Sequence, residues 1–317
     1  MTWLEAADWP TELPGDRFAG LVDRPGILRI PGAHNAMAGL LAKKQGFECL
    51  YVSGAAVTAS LGIPDVGILS LEELCFFTRS IYRATRLPLL VDADTGYGEV
   101  MNVMRTVREL EAAGAAAMQM EDQVLPKKCG HLNGKQLVTT QEMCEKIAAA
   151  RKARTHLRIV ARTDAVANEG LDGGIARARA YIEAGADIAF ADGVTEAAGF
   201  RRFAAECGGP FMANMTEFGK TPYFTAQEFE EMGCKLVIWP VSSMRVAAKA
   251  MERCYAELAE KDTLFGHLDC HSPTPGVTRG PPTSASIGER VTRYRGPRIS
   301  ASLRPGRRKG YGRNPLP

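Results

Sequence analysis

Eight short apolar or β-branched runs alternate with amphipathic stretches along the chain, and this alternation constrains the fold more than any other feature. The runs begin about 30 residues apart, the length of a strand, a helix and two loops. The predicted strands are 27–30, 49–53, 87–92, 116–121, 157–162, 188–191, 210–214 and 236–240. Helical patterns cover 100–113, 140–154, 174–183 and 241–258, with Thr140 as a predicted N-cap. Strands buried on both faces need right-handed crossovers, so this pattern predicts a closed (β/α)8 barrel.

An open, doubly wound parallel sheet is the alternative architecture for the same alternation. Sheets of that kind that bind dinucleotides carry a Gly-x-Gly-x-x-Gly turn after the first strand. Here the first predicted strand is followed by Pro31-Gly32-Ala33-His34-Asn35, which lacks that pattern. The barrel is therefore the preferred prediction, and we assign it to residues 1–269.

The composition changes near residue 270. Residues 270–317 contain ten Lys and Arg, eight Pro and seven Gly, against one acidic residue, Glu289. Such a segment buries too little apolar surface to offset its chain entropy, so we expect an unstructured tail. The remaining 269 residues carry 29 Lys and Arg against 35 Asp and Glu, a net charge of −6. The basic balance of the whole chain therefore does not indicate a nucleic-acid partner for the barrel.

The sequence shows no apolar run near the roughly 20 residues of a membrane helix, and no signal-peptide pattern. The eight cysteines include no Cys-x-x-Cys pair, which favours reduced thiols over a disulfide framework or a zinc site. We expect a cytoplasmic protein without a membrane partner. The cysteines predicted to pack within strands and helices are Cys49, Cys75, Cys144, Cys207, Cys234 and Cys254.

Acidic side chains follow the predicted strands, at the edge where an α/β barrel carries its reactive groups. Asp92 and Asp94 come two residues apart at the end of the third strand, and Glu121 ends the fourth. Three carboxylates form an all-oxygen site suited to Mg²⁺, or to Mn²⁺ in its place. The alternative is that Asp92 and Asp94 only cap the next helix and its Gly-rich turn.

The segment Lys127-Lys128-Cys129-Gly130-His131 places a thiol among two ammonium groups and an imidazole. Such surroundings lower the pKa of a cysteine and make it a usable proton donor or nucleophile. The alternative is an ordinary loop cysteine.

Arg162, Asn214, Thr216 and Arg245 lie at the ends of later strands. Together with a cation, their guanidinium, amide and hydroxyl groups describe a pocket for a substrate with several carboxylates. Each arginine has a structural ion pair as its alternative.

These residues belong to motifs that resemble the isocitrate lyase and phosphoenolpyruvate mutase superfamily, and within it the methylisocitrate lyases. The resemblance covers about residues 15 to 260, in family order. The matching motifs are Tyr51-Val52-Ser53-Gly54-Ala55-Ala56, Pro64-Asp65-Val66-Gly67, Asp92-Ala93-Asp94-Thr95-Gly96-Tyr97-Gly98, Glu121-Asp122-Gln123, Lys127-Lys128-Cys129-Gly130-His131, Ala161-Arg162-Thr163-Asp164 and Ala213-Asn214-Met215-Thr216-Glu217-Phe218-Gly219.

The resemblance implies Mg²⁺-dependent cleavage of 2-methylisocitrate to pyruvate and succinate, in propionate breakdown by the methylcitrate cycle, and a homotetramer. It implies that Cys129 is the acid that protonates the departing carbanion, positioned by Lys128 and His131 in a lid over 127–133, with Tyr51 as the base. The metal residues would be Asp92, Asp94 and Glu121. The substrate residues would be Ser53, Gly54, Ala55, Gly130, Arg162, Asp192, Asn214, Thr216 and Arg245.

Two departures from the family pattern keep alternatives open. Phe190-Ala191-Asp192-Gly193 stands where methylisocitrate lyases read Phe-Pro-Glu-Ala, and the family's Met-Gln-Thr-Arg segment and final helices are not found after Lys261. The alternatives are an inactive variant, a dimethylmalate lyase, an oxaloacetate-cleaving enzyme or a carboxyphosphonoenolpyruvate mutase. Alternatives from other classes are a non-catalytic binder of dicarboxylates or polyanions, and a chain that aggregates through an exposed apolar surface.

Overall fold

The computed structural model describes residues 9–128 and 134–264. Eight strands lie in the order β1-β8-β7-β6-β5-β4-β3-β2, and all neighbouring strands pair in parallel. They are β1 (Leu28–Pro31), β2 (Leu50–Val52), β3 (Leu89–Asp92), β4 (Ala117–Glu121), β5 (Arg158–Thr163), β6 (Ile188–Ala191), β7 (Phe211–Asn214) and β8 (Leu236–Trp239). Each bound lies within two residues of its prediction from the sequence.

The seam between β1 and β2 turns the sheet into a barrel. Gly32 forms a parallel bridge with Tyr51, and the Ala33 N–H donates to the Tyr51 carbonyl at 2.8 Å. On its other side the Gly32 N–H donates to the Trp239 carbonyl at 2.9 Å. A Cβ on Gly32 would stand 2.2 Å from the Pro240 carbonyl oxygen, so only glycine fits here. The barrel prediction is confirmed, and the open doubly wound alternative is wrong.

Ten helices surround the barrel within the described ranges. They are α1 (Pro14–Asp23), α2 (Ala36–Lys44), α3 (Gly54–Leu61), α4 (Leu71–Thr85), α5 (Val100–Ala113), α6 (Thr140–Ala153), α7 (Val166–Ala184), α8 (Ala197–Glu206), α9 (Ala226–Glu231) and α10 (Ser242–Lys261). The helix predicted over 174–183 begins earlier, at Val166, and Gly170 interrupts it with a left-handed φ of 75°. No helix in the described ranges has both the length and the apolar character to cross a membrane.

The predicted N-cap Thr140 is wrong by one residue. Thr139 is the cap, because its Oγ1 accepts the Glu142 N–H at 3.2 Å while the Glu142 carboxylate accepts the Thr139 N–H at 2.7 Å. This reciprocal pair requires a glutamate three residues after the threonine, and that spacing selects Thr139.

Alternate strand residues pack in the centre of the barrel, and α1 packs against them. This cluster contains Ile30, Tyr51, Leu90, Ala117, Val160, Phe190, Met212 and Ile238 from the strands, with Phe18, Leu21 and Val22 from α1. The opposite strand faces pack against the surrounding helices in two further clusters. The strands are therefore apolar on both faces, which is why their sequences read as continuous apolar runs.

Four of the six cysteines predicted to pack are buried, namely Cys49, Cys75, Cys207 and Cys234, while Cys144 and Cys254 are partly exposed. Residues 1–8, 129–133 and 265–317 lie outside the described residues. The predicted tail over 270–317 and its boundary at 269 therefore stay predictions.

Candidate active site

A cavity of about 90 Å³ lies at the carboxyl ends of the strands. This is the end at which the sequence places the reactive groups. The cavity-lining residues that the sequence predicted are Tyr51, Ser53, Ala55, Asp92, Glu121, Lys128, Arg162, Asn214, Thr216 and Arg245. Asp65, Lys127 and Phe190 also line it.

The carboxylates of Asp92 and Asp94 converge beside Gly54. Asp92 Oδ2 and Asp94 Oδ1 each lie 3.4 Å from the point that a Cβ on Gly54 would occupy, so both oxygens pack against the start of α3. Asp92 Oδ2 accepts the Gly54 N–H at 3.3 Å, which ties the start of α3 to the end of β3. Asp94 is aimed by a left-handed backbone with φ 48°, a conformation that costs energy for a residue with a side chain.

Lys127 lies against this carboxylate pair. Its Nζ is 2.8 Å from Asp94 Oδ1 and also contacts Asp65, and its side chain is 4% exposed. Asp94 Oδ1 is buried and receives no well-directed hydrogen bond from the described residues, so this contact is chiefly an ion pair. Burial and the neighbouring Asp92 raise the pKa of Asp94 to about 6, against the lowering effect of Lys127.

The Asp92 and Asp94 pair fits a hard divalent cation. Within residues 9–128 and 134–264, no three His, Cys, Asp or Glu side chains are grouped to hold a metal. Glu121 lines the same cavity as Asp92, and its carboxylate accepts from Gln123 Nε2 at 3.0 Å and lies 3.3 Å from Arg162 Nε. Mg²⁺ is commonly held by one or two carboxylates, with water and substrate oxygens completing its shell, so two convergent carboxylates are sufficient.

Tyr51 is linked to the carboxylate pair through Gln119. The Tyr51 hydroxyl donates to Gln119 Oε1 at 2.9 Å, and Gln119 Nε2 donates to Asp92 Oδ1 at 3.2 Å. Burial, and secondarily the charge of Asp92, raise the pKa of Tyr51 well above its ordinary value. The hydroxyl is therefore protonated at neutral pH and engaged in fixing Gln119 and Asp92.

The segment from Ser53 to Ala55 forms the beginning of α3. Ser53 is the N-cap, and its Oγ accepts the Ala56 N–H at 3.3 Å. Ser53 and Ala55 line the cavity next to the first turn of this helix. A helix N-terminus offers unpaired N–H groups and a partial positive charge, which favours an anionic group.

Arg162 is held at the cavity wall by carboxylates. Its Nε and Nη2 each donate to Asp164 at 2.9 Å, and its guanidinium carbon lies 5.5 Å from the centre of the Phe190 ring. Burial raises the pKa of Asp164, but the charges of Arg162 and Lys135 outweigh it and lower the value to about 2. Arg162 therefore forms a structural ion pair and also lines the cavity, so the two alternatives from the sequence are not exclusive.

Asp192 faces the same ion network. It accepts from Lys135 Nζ at 3.2 Å and lies 3.5 Å from Arg162 Nη2. It is 5% exposed and is not among the side chains that line the cavity. Lys135 also pairs with Asp164, so it ties Asp164 and Asp192 together.

Asn214, Thr216 and Arg245 also line the cavity. Asn214 Oδ1 is buried and has no hydrogen-bond partner among the described residues. Arg245 Nη1 donates to Thr216 Oγ1 at 3.4 Å, to the Glu217 carbonyl at 2.5 Å and to Glu217 Oε2 at 3.1 Å. This wall offers an amide, a hydroxyl and a guanidinium to an oxygen-rich ligand.

Lys128 is fixed by Gln123 at the start of the predicted lid. The Lys128 N–H donates to Gln123 Oε1 at 2.9 Å, and Gln123 Nε2 donates to the Lys128 carbonyl at 2.9 Å. The predicted residues Cys129, Gly130 and His131 lie outside the described residues. Lys128, the last described residue before Cys129, lines the cavity.

Four residues of the site carry no role in the sequence-based prediction: Asp65, Gln119, Gln123 and Lys135. Lys127 was predicted only as a cation near Cys129 and as part of the lid, and its contact with the carboxylates was missed. Asp65, Gln123 and Lys127 do belong to the matching motifs, and that was the available signal. Gln119 is a polar residue inside the largely apolar strand β4. A buried polar side chain needs a hydrogen-bond partner, and this could have marked Gln119 as part of the site. Lys135 pairs with carboxylates that are distant in sequence, and no local pattern marks it.

Comparisons with known proteins identify the family of the chain. The sequence model of the family described as phosphoenolpyruvate phosphomutase matches residues 18–259. The chain is 54% identical over 260 residues to 2-methylisocitrate lyase of Bacillus subtilis (strain 168), covering 82% of this chain and 86% of that protein.

Solved structures show the same fold. A crystal structure of 2,3-dimethylmalate lyase, a member of the PEP mutase/isocitrate lyase superfamily, superposes with a TM-score of 0.77 at 32% identity, covering 88% of this chain and 92% of the other. A phosphonopyruvate hydrolase complex with oxalate and Mg²⁺ superposes with a TM-score of 0.76 at 26% identity, covering 89% and 97%.

Proposed function

Because the chain belongs to the phosphoenolpyruvate phosphomutase family and is a carbon–carbon lyase, we propose that it cleaves 2-methylisocitrate to pyruvate and succinate with Mg²⁺. The observation that carries this proposal is the arrangement of the cavity. Asp92 lines this cavity together with arginine, amide and hydroxyl groups, and Asp94 converges with Asp92 beside Gly54, which suits a cation together with a substrate that has several carboxylates. We assign the reaction to propionate breakdown by the methylcitrate cycle.

Asp92 and Asp94 would hold the cation, Mg²⁺ or Mn²⁺, with Glu121 supporting them from beside the pair. When bound, the cation would stabilise negative charge that develops on the substrate oxygens. Gln119 fixes Asp92, so the proposed ligand is oriented before the cation arrives.

The two ends of the substrate would bind at different parts of the cavity. Ser53, Gly54 and Ala55 would bind the end that becomes pyruvate, where the N-terminus of α3 attracts its carboxylate. Arg162, Asn214, Thr216 and Arg245 would bind the remaining carboxylates. Gly130 and Asp192 complete the proposed substrate set, Asp192 by holding the Lys135 and Arg162 network.

Cleavage needs a base that removes the hydroxyl proton and an acid that protonates the carbanion left on the succinate carbon. The hydroxyl-bearing carbon becomes the ketone of pyruvate as the carbon–carbon bond breaks. We assign the acid to Cys129, positioned by Lys128 and His131. Tyr51 is the proposed base. Its hydroxyl donates to Gln119 Oε1, an amide oxygen that cannot take up the proton, so Tyr51 would act as the tyrosinate after its proton has left through the cavity that it lines.

The same proposal places the enzyme in the cytoplasm as a homotetramer. The six cysteines within the described residues are free thiols, which is compatible with a reducing compartment.

The test is pyruvate release from 2-methylisocitrate with MgCl₂, compared with isocitrate, 2,3-dimethylmalate and oxaloacetate. A carboxyphosphonoenolpyruvate arm covers the mutase alternative. We expect preferred turnover of 2-methylisocitrate, its loss in EDTA with recovery on adding Mg²⁺, and a fall of at least a hundredfold in Cys129→Ser. Cys254→Ser, a partly exposed thiol on α10, is the matched control and should keep wild-type activity. Preference for another substrate, or full activity of Cys129→Ser, would contradict the proposal.

A further inference from the structure

Lys127 is an ammonium group enclosed by the carboxylates of the proposed metal site. It contacts Asp65 and Asp94, and its side chain is only 4% exposed. Burial by itself lowers the pKa of Lys127, but the charges of Asp94, Glu121, Asp92 and Asp65 raise it above its ordinary value. The group is therefore a permanent cation at neutral pH, inside the cluster that would receive a second cation.

The Lys127 contact uses the same oxygen that the cation site needs. Asp94 Oδ1 is 2.8 Å from Lys127 Nζ, and it is also the oxygen that converges with Asp92 Oδ2 at 3.4 Å from the Gly54 Cβ position. The left-handed backbone at Asp94 fixes where this oxygen points. An ammonium and a divalent cation that share one carboxylate oxygen repel each other strongly in a water-poor site.

We infer that Lys127 is a built-in counter-cation that neutralises Asp94 in the metal-free enzyme and that a divalent cation displaces onto Asp65. This inference rests on the proposed metal site at Asp92 and Asp94. Asp65 already shares the ammonium, so Lys127 keeps a partly buried partner after it leaves Asp94. Without the lysine, Asp94 would be buried beside Asp92 and would lose the ammonium that it contacts, which is costly in a buried position.

The backbone on both sides of the predicted lid is anchored. Lys127 precedes Lys128, whose backbone N–H and carbonyl are both held by Gln123. The two flanks of this segment are joined by Val124 N–H to the Gln136 carbonyl at 2.8 Å, and by Val138 N–H to the Asp122 carbonyl at 2.9 Å. A displacement of the Lys127 ammonium is thus confined to a flexible side chain on an anchored backbone. Lys127 acts here as a positioning residue for the metal site.

The competition between Lys127 and a divalent cation for Asp94 can be measured through cation affinity, without substrate turnover. MgCl₂ binding is measured by isothermal titration calorimetry, and MnCl₂ binding by electron paramagnetic resonance, on the full-length enzyme without substrate. Lys127→Met should bind both ions at least tenfold more tightly than wild type, because no ammonium has to be displaced. Lys127→Arg keeps a positive charge that competes for Asp94, so its affinity should stay within about threefold of wild type.

Lys128→Met is the matched control, because it removes the same charge one residue further along the chain. The Lys128 Nζ donates to the Gly134 carbonyl at 2.9 Å. This variant should tighten binding by less than threefold. Equal tightening by Lys127→Met and Lys128→Met would mean a general charge effect and would overturn the inference. Unchanged affinity in Lys127→Met would overturn it too, while leaving the proposed function intact. If neither the wild type nor the variants bound a cation, the proposed metal site at Asp92 and Asp94 would itself be contradicted, and the inference with it.

A crystal structure of the wild-type enzyme with Mn²⁺ gives a direct readout that does not depend on how the variants fold. We expect Lys127 Nζ more than 4 Å from Asp94 Oδ1 and still in contact with Asp65. Mn²⁺ bound at Asp92 and Asp94 with the 2.8 Å contact intact would overturn the displacement.

Discussion

Asp164 shows how one buried carboxylate fixes two cations of the site. It receives two hydrogen bonds from Arg162 at 2.9 Å and pairs with Lys135, while its own backbone N–H donates to Asp122 at 2.9 Å. Asp122 is held in turn by the hydroxyls of Thr163, at 2.7 Å, and Tyr181, at 2.8 Å. Arg162 therefore reaches the cavity with its orientation already fixed, which lowers the entropy lost when a carboxylate binds to it.

Asp164→Asn should destabilise the folded state by about 3–5 kcal/mol, because it leaves Arg162 and Lys135 buried with less opposite charge. The pKa of Asp164 is lowered from 3.8 to about 2 in the folded state. A lowered pKa adds stability that is complete above about pH 5 and is lost as the pH falls through 4 towards 2. The difference in free energy of unfolding between wild type and Asp164→Asn should therefore shrink by about 1 kcal/mol between pH 6 and pH 3.

Urea unfolding followed by circular dichroism across that pH range checks this expectation. Asp172→Asn is the control, since Asp172 pairs with Arg202 on the surface with its side chain 86% exposed. It should change stability by less than about 0.5 kcal/mol at any pH. A gap between wild type and Asp164→Asn that stays constant from pH 6 to pH 3 would contradict the assigned pKa.

At the scale of elements, the strands were predictable and several contacts of the loops were not. Strands such as β3 and β6 are buried along their whole length, so their positions appear directly as apolar runs in the sequence. The polar residues at the ends of four strands line one cavity, as expected. They are Asp92 on β3, Glu121 on β4, Arg162 on β5 and Asn214 on β7. The partners of Lys127 and Lys135 depend on how loops cross the barrel mouth, and that is decided by contacts between distant parts of the chain.

The cap of α6 offers an element-scale prediction with two adjacent threonines. Thr139 is the N-cap and exchanges hydrogen bonds with Glu142, whereas Thr140 is the first residue of the helix. Thr139→Ala should lower the free energy of unfolding by about 1 kcal/mol, because it leaves a backbone N–H of the first turn without its acceptor. Thr140→Ala should change it by less than about 0.5 kcal/mol. Equal effects of the two substitutions in urea unfolding would show that the capping box contributes little.

At the scale of the whole molecule, the last described helix carries an apolar stripe that the barrel does not cover. Met244, Ala248, Met251, Tyr255 and Leu258 follow one another at intervals of four and three residues, so they share one face of α10. Met251, Tyr255 and Leu258 are 52%, 66% and 42% exposed. This spacing is typical of a helix that packs against another helix, and the stripe is the surface that we expect the proposed homotetramer to bury.

A double substitution, Met251→Glu with Tyr255→Glu, should therefore reduce the wild-type tetramer to smaller species without unfolding the barrel. Two carboxylates inside an apolar helix interface cannot be desolvated without a partner charge. Sedimentation velocity measures the assembly, and circular dichroism checks the fold. Arg253→Glu, on the opposite face of the same helix, is the control and should stay tetrameric. A monomeric wild type would contradict the proposed assembly, and an intact tetramer in the double variant would show that the subunits meet through another surface.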